Sequence, residues 1–165
     1  MDDEAIQYFS LDSDNIINLR KIIKTQGFFC CHEKIEQQWI NTSISKLSFG
    51  YTYLKLKAQI GRRSIKKPED KYLLHGFVLC RIDKDLPSIA WIDLICSKHN
   101  SKTGKLLLDL AEEHIRTNIP SVKLIQLYSL PQPKLKSWYL KNGYGVSDVR
   151  IWDGKLKSYL MNKFL

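Results

Sequence analysis

The sequence predicts an α+β fold: one mixed central sheet flanked by helices, in the order β-α-α-β-β-β-α-β-α-β-β. Three observations carry that expectation. Short runs rich in aromatic and β-branched residues alternate in polarity, as half-buried strands do. Between them lie stretches whose apolar residues recur every three to four positions, as on helices. Near the end, Asp153-Gly154 separates two such strand-like runs, which is the strongest short hairpin signal in the chain. With 165 residues and no internal repeat, positions 1–165 read as a single domain with a real core.

Residues 5–11 (AIQYFSL) form the first expected strand. Asp12-Ser13-Asp14 offer N-cap candidates for a helix through Ile16, Leu19, Ile22 and Ile23, and Gly27 ends it. A second helix is expected over about His32 to Asn41, with Ile35, Trp39 and Ile40 near one face. Residues 49–60 alternate as a strand, the basic loop GRRSIKKPEDK follows at 61–71, and 72–82 (YLLHGFVLCRI) make the next strand. After a turn at Asp83 to Pro87, residues 89–96 (IAWIDLIC) are apolar except for Asp93, which predicts a strand covered on both faces.

The helix that starts near Gly104 carries Leu107, Leu110, Ala111, His114 and Ile115 as one stripe, so His114 reads as a packed histidine. Lys105/Asp109 and Glu112/Arg116 stand at i,i+4 on it. A strand over 122–130 stops at Pro131-Gln132-Pro133, and the short helix KLKSWYLKN runs to Gly143. The closing hairpin follows.

Composition narrows the setting. Hydrophobic residues make up 44% of the chain and charged residues 26%, ordinary proportions for a globular protein. No apolar run approaches the roughly 18 residues of a membrane span, and the N-terminal MDDEAIQYF lacks the basic and apolar regions of a secretory signal. An intracellular, cytoplasmic location is therefore expected, with reduced, partly buried thiols at Cys30, Cys31, Cys80 and Cys96. The CCHE at 30–33 has consecutive ligands and no second pair, so no metal site is expected. A net charge of +9 favours anionic partners. The dense basic stretch at 61–71 lacks the aromatic interleaving of a nucleic-acid surface.

One segment points to a phosphate. Residues 99–108, HNSKTGKLLL, place Gly104-Lys105 at a helix start. They are not a nucleotide-hydrolase loop: His99 stands where its first glycine belongs, and Leu106 replaces the hydroxyl that would hold magnesium. A dinucleotide fingerprint fails as well, since only one of its three glycines is present. What remains is shared physics. A strand, a polar loop and a helix start direct backbone N–H groups and the positive helix end at one place, with Lys98, Lys102 and Lys105 around it. A pyrophosphate would fit.

ICSKHNSKTGKLLLDLAEE, followed by a strand and by a short helix with SWYLKNGY, resembles the GNAT superfamily of N-acetyltransferases. The family's central motif is a strand ending in an apolar residue, then [QR]-x-x-G-x-[GA], then a helix beginning x-x-L-L. Gly104 fits the second glycine, Leu107-Leu108 the double leucine, and Trp138 to Tyr144 the later F-Y-x-K-x-G-[FY]. The order of elements agrees over essentially the whole chain, and the specific part is 89–144. His99 departs from Gln or Arg, Lys102 from the first glycine, and the usual loop proline and the later asparagine are missing, with Ser129 or Gln132 near the latter's place.

The resemblance implies acetyl transfer from acetyl-CoA to an amine by direct attack. It implies that the strand matching 89–96 diverges from that matching 122–130, with the backbone of Ile95, Cys96 and Ser97 on the pantetheine arm. It assigns the pyrophosphate to the loop and helix start, His99, Lys102, Thr103, Gly104 and Lys105, and makes Tyr139 a cofactor contact and the general acid toward the thiolate. Asp93, the lone carboxylate of its strand, suits a base working through water; the other reading is a carboxylate held by a neighbouring basic or backbone group. His75 and Glu33 are further base candidates, while Trp91 and Trp138 read as core. The expected partners are acetyl-CoA and an amine acceptor, small molecule or protein, which the basic surface favours as anionic. A nucleic acid and a second copy of the chain remain open as partners; a membrane does not. The alternatives to catalysis are a degenerate GNAT fold that binds acyl-CoA or acts as an interaction module, and a basic RNA-associated protein.

Overall fold

The computed structural model describes residues 4–10, 14–30, 33–34, 37–56, 72–98 and 101–165. They form β1 (Glu4–Phe9), α1 (Asp14–Gln26), β2 (Phe29–Cys30), β3 (Glu33–Lys34), α2 (Gln37–Ser45), β4 (Phe49–Leu56), β5 (Tyr72–Ile82), β6 (Ile89–Ser97), α3 (Ser101–Asn118), β7 (Leu124–Ser129), α4 (Pro133–Lys141), β8 (Gly145–Trp152) and β9 (Lys155–Phe164). Seven strands make one mixed sheet in the order β1-β4-β5-β6-β7-β9-β8, and β2 and β3 form a separate ribbon. The architecture is the expected α+β layout with that ribbon added. Met1–Cys80 with Leu94–Glu113 form one compact unit, and Arg81–Asp93 with His114–Leu165 the other.

In the first unit, β1 runs antiparallel to β4 from Glu4↔Lys55 to Phe9↔Gly50, and β4 is antiparallel to β5. The stripe expected on α1 is buried: Ile16, Leu19, Ile22 and Ile23 join Phe9, Leu54, Leu74, Phe77 and Leu79 in one core. Each such side chain contributes about 1.5–3 kcal/mol on burial. Gly27, at φ 70, ends the helix, and its N–H donates to the Ile23 carbonyl at 2.9 Å.

The second helix departs from expectation. It starts at Gln37 rather than His32, and the ribbon occupies part of the interval. Its buried pair is Ile40 and Ile44, an i,i+4 spacing, and Trp39 is 41% exposed rather than on the core face. The N-cap candidates Asp12 and Ser13, the basic stretch 61–71, and Cys31-His32 of the CCHE lie outside the described residues.

In the second unit, β6 pairs in parallel with β7 from Ile89↔Leu124 to Ile92↔Leu127, and β9 pairs with β7 and β8. Asp153 (φ 51) and Gly154 (φ 70) form the expected hairpin turn, both central residues in the left-handed region. The expectation that β6 is covered on both faces is corrected. Ala90 and Ile92 are buried, but Trp91 and Asp93 are only half-buried. On that face Tyr128 stacks against Trp91 and Arg81 binds Asp93.

The thiols also differ from expectation. Cys80 is a buried thiol, but Cys96 is disulfide-bonded, with a partner outside the described side chains. Such a pairing depends on how the fold brings chain segments together, which sequence spacing does not carry. No described helix is long and apolar enough to cross a membrane, and among the described residues no group of three or more His, Cys, Asp or Glu could hold a metal ion.

Gly50 fixes the joint between β1 and β4. A Cβ there would lie 2.5 Å from the Phe9 ring and 2.6 Å from the Val78 carbonyl oxygen. Gly50→Ala is expected to cost about 1–3 kcal/mol, read as a lower urea midpoint at unchanged slope. An unchanged midpoint would show that Phe9 and the strand move aside at no cost.

Candidate functional site

The first unit holds the phosphate-facing candidates. β6 ends at Ser97, and the Lys98 N–H donates to the His75 carbonyl at 2.7 Å, tying the strand's end to β5. α3 begins at Ser101, so Lys102, Thr103, Gly104 and Lys105 lie in its opening residues. His99 lies outside the described residues. Lys102 and Lys105 are exposed, whereas Thr103 and Gly104 are buried. Leu107 and Leu108 are fully buried and hold the helix down. Lys105 reaches Asp109 at 3.0 Å, the expected i,i+4 pair, with both side chains more than half exposed.

Two features shape this helix start. No acidic side chain stands in its first turn, so nothing on the helix itself offsets the positive end of the dipole. Beneath it lies Gly76 of β5, where a Cβ would meet the Cys96 carbonyl oxygen at 2.8 Å, Leu107 Cδ1 at 2.8 Å and Thr103 Cγ2 at 3.1 Å. Gly76 therefore lets the helix seat closely on β5. It was missed in the sequence, although a glycine inside the apolar run YLLHGFVLC is the usual mark of close approach.

The second unit holds Tyr139 and Asp93. Tyr139, on α4, is 4% exposed and packs edge-on against Trp138 (5.0 Å, 71°) and Tyr144 (5.9 Å, 68°). Pro133 opens this helix after an extended Gln132. At its other end the N–H groups of Asn142 and Tyr144 donate to the Tyr139 carbonyl at 3.0 and 3.1 Å, and the Asn142 amide donates to the Trp138 carbonyl at 2.8 Å. Gly143, at φ 92, makes the exit turn. Lys163 Nζ donates to the Asn142 carbonyl at 3.0 Å and lies 5.7 Å from the Tyr144 ring centroid. Within the WYLKNGY run, Trp138 and Tyr144 thus flank the Tyr139 ring while Asn142 and Tyr144 hold its carbonyl.

Asp93 follows the last residue of β6 that pairs with β7, Ile92. Arg81 Nε donates to both its oxygens, at 2.9 and 3.1 Å, so the held-carboxylate reading describes the geometry observed. The Arg81 guanidinium lies 5.0 Å from the Trp91 ring centroid, and Trp91 Nε1 donates to Asp83 Oδ2 at 2.9 Å. That indole bond, then the N–H groups of Leu86 and Asp85, lowers the Asp83 carboxyl below its ordinary pKa. Trp91, expected as core, is half-buried and stacks on Tyr128 (5.5 Å, 24°).

Among the remaining candidates, His75 packs edge-on against Tyr53 at 6.3 Å. His114 faces the Asn118 amide at 3.3 Å, and burial lowers its pKa. The Glu33 side chain lies outside the described residues. The structure brings Ile95, Cys96, Ser97 and the described start of α3 together in the first unit, and Asp93 and Tyr139 belong to the second.

No protein-family model matches the sequence, and a comparison with curated proteins finds no match. Solved structures do. The ribosomal-protein-S18-alanine N-acetyltransferase of Escherichia coli aligns over 97% of this chain and 94% of its own, with TM-score 0.62 and 11% identity. An acetyltransferase of the GNAT family from Streptococcus pneumoniae aligns over 98% and 99%, with TM-score 0.59 and 16% identity. The PaiA N-acetyltransferase of Thermoplasma acidophilum, solved in complex with coenzyme A, aligns over 100% of both chains with TM-score 0.54 and 17% identity. Strand order, the short parallel ladder and the closing hairpin all fall within these alignments, and the chain has the fold of the GNAT N-acetyltransferases.

Proposed function

We propose that the protein transfers an acetyl group from acetyl-CoA to an amine by direct attack. The observation that carries this is the junction of β6 and α3 within an N-acetyltransferase fold: an acid-free first turn, lysines at 102 and 105, and a helix seated over Gly76. An anion fits such a helix start on chemical grounds, because its N–H groups and positive end meet no carboxylate of the same turn. Gly76 supplies the close approach that the seat requires.

Acetyl-CoA would supply the acetyl group as a thioester and accept the departing charge as a thiolate. In this reading the backbone of Ile95, Cys96 and Ser97 lies along the pantetheine arm, and His99, Lys102, Thr103, Gly104 and Lys105 hold the pyrophosphate. An attacking amine with a pKa near about 10 must lose a proton at pH 7. Asp93 takes it through water, with its carboxylate held in place by Arg81 Nε. Tyr139 delivers a proton to the departing sulfur. The acceptor is an amine on a small molecule or a protein, and the net charge of +9 favours one that carries negative charge. Lys102, where the family has glycine, favours one second reading: a GNAT fold that binds acyl-CoA without transfer.

Acetyl-CoA at about 100 times its dissociation constant should add roughly 2.7 kcal/mol of stability and raise the unfolding midpoint by about 5–10 °C, while ATP should leave it unchanged. No shift with either would remove the cofactor from the proposal. Tyr139→Phe should lower turnover by about 100-fold with CoA affinity retained in calorimetry; equal turnover would take Tyr139 out of its role. Lys102→Glu should weaken CoA binding several-fold, and an unchanged dissociation constant would place the pyrophosphate elsewhere.

A further inference from the structure

We propose that the β8–β9 hairpin and the sheet face beside it bind a single-stranded polynucleotide. A groove of about 600 Å³ on the hairpin is lined by Val149, Arg150, Ile151, Trp152, Lys157 and Ser158. It presents two cations, an indole and a hydroxyl, and no carboxylate. Trp152 is 69% exposed and Ile151 62%, so neither serves the core. Every residue of β8 is exposed.

The groove continues into a platform. The Arg150 guanidinium lies 5.1 Å from the ring centroid of Tyr128, which is 48% exposed. Tyr128 stacks on Trp91, and Arg81 covers Trp91 in turn. The guanidiniums of Arg150 and Arg81 therefore cap the two ends of a stacked Tyr128–Trp91 pair. That stack braces Arg150, while the exposed Trp152 indole offers bases a flat face without regard to their identity and Arg150 and Lys157 offer cations to the phosphates. The hairpin strands and their turn, residues 145–164, hold four cations and two carboxylates, and the +9 of the whole chain attracts a polyanion from a distance.

Other occupants fit less well. β8 ends the strand order of the sheet, but its pairing with β9 is irregular between Val146 and Asp148 and again between Arg150 and Ile151. Such breaks spoil an edge for strand addition by a peptide or a second copy. A purely apolar partner would have to bury Arg150 and Lys157 uncompensated.

The test needs neither acetyl-CoA nor an acceptor, so it stands apart from the proposed transfer reaction. Fluorescein-labelled twelve-nucleotide oligo(U) and oligo(dT) are titrated with the full chain and read by anisotropy at several salt concentrations. Trp152→Ala is expected to weaken binding about 10-fold. Arg150→Ala should weaken it and reduce the salt slope by about one, whereas Arg150→Lys should keep the slope and lose part of the affinity. The exposure of both residues predicts wild-type unfolding midpoints for all three variants. Tighter oligo(U) assigns the surface to RNA, and equal affinities assign it to either strand chemistry. Absent binding overturns the proposal, as does binding that Trp152→Ala and Arg150→Ala leave unchanged. Sedimentation with phosphatidylserine vesicles that depends on Trp152, without oligonucleotide binding, gives the surface to a membrane and overturns it too.

Discussion

The missing Cβ at Gly76 sets how closely the start of α3 can approach β5, and the candidate anion site inherits its geometry from that distance. Three groups crowd the vacant position: the Cys96 carbonyl, a methyl of Leu107 and the methyl of Thr103. One belongs to the end of β6 and two to the opening turns of α3, so strand end and helix start are positioned by the same contact. Leu107 and Leu108 then fix the helix by burial, which leaves its exposed face to the lysines. A close-packed interior transmits such a constraint because it cannot deform continuously.

The second unit reaches comparable fixity by different means. Around Tyr139 the chain spends hydrogen bonds rather than close packing: two backbone N–H groups converge on the Tyr139 carbonyl and a side-chain amide closes on that of Trp138. These satisfy carbonyls that a helix end leaves without intrahelical partners. The aromatic contacts of Trp138 and Tyr144 then limit how the ring can turn. Trp138, Tyr139, Asn142, Gly143 and Tyr144 of WYLKNGY all take part in this arrangement.

Much of this was legible beforehand. The bounds of β5 agree with the apolar run 72–82, the α1 stripe is the buried face, and Asp153-Gly154 turns the hairpin. What escaped reading was tertiary. The start of α2 depends on which turn buries Ile40 and Ile44, and apolar residues at 35, 39 and 40 suited an earlier start equally well. The half-open face of β6 escaped because Trp91 and Ile89 read as buried until Tyr128, from a strand over 30 residues later, is seen to stack there. Gly76 was visible as a letter, but its role depends on α3 lying above it. The oxidised state of Cys96 depends likewise on a pairing between distant segments.

Lys163 carries a consequence of its own. It belongs to β9, yet its ammonium bonds the Asn142 carbonyl, and the Asn142 N–H in turn bonds the carbonyl of Tyr139. A Cβ on Gly143 would press against the same lysine at 3.1 Å, so the contact leaves little slack. The closing hairpin and the end of α4 are therefore tied together through Lys163. Work done on β9 by anything that grips the hairpin is delivered to the backbone of Tyr139.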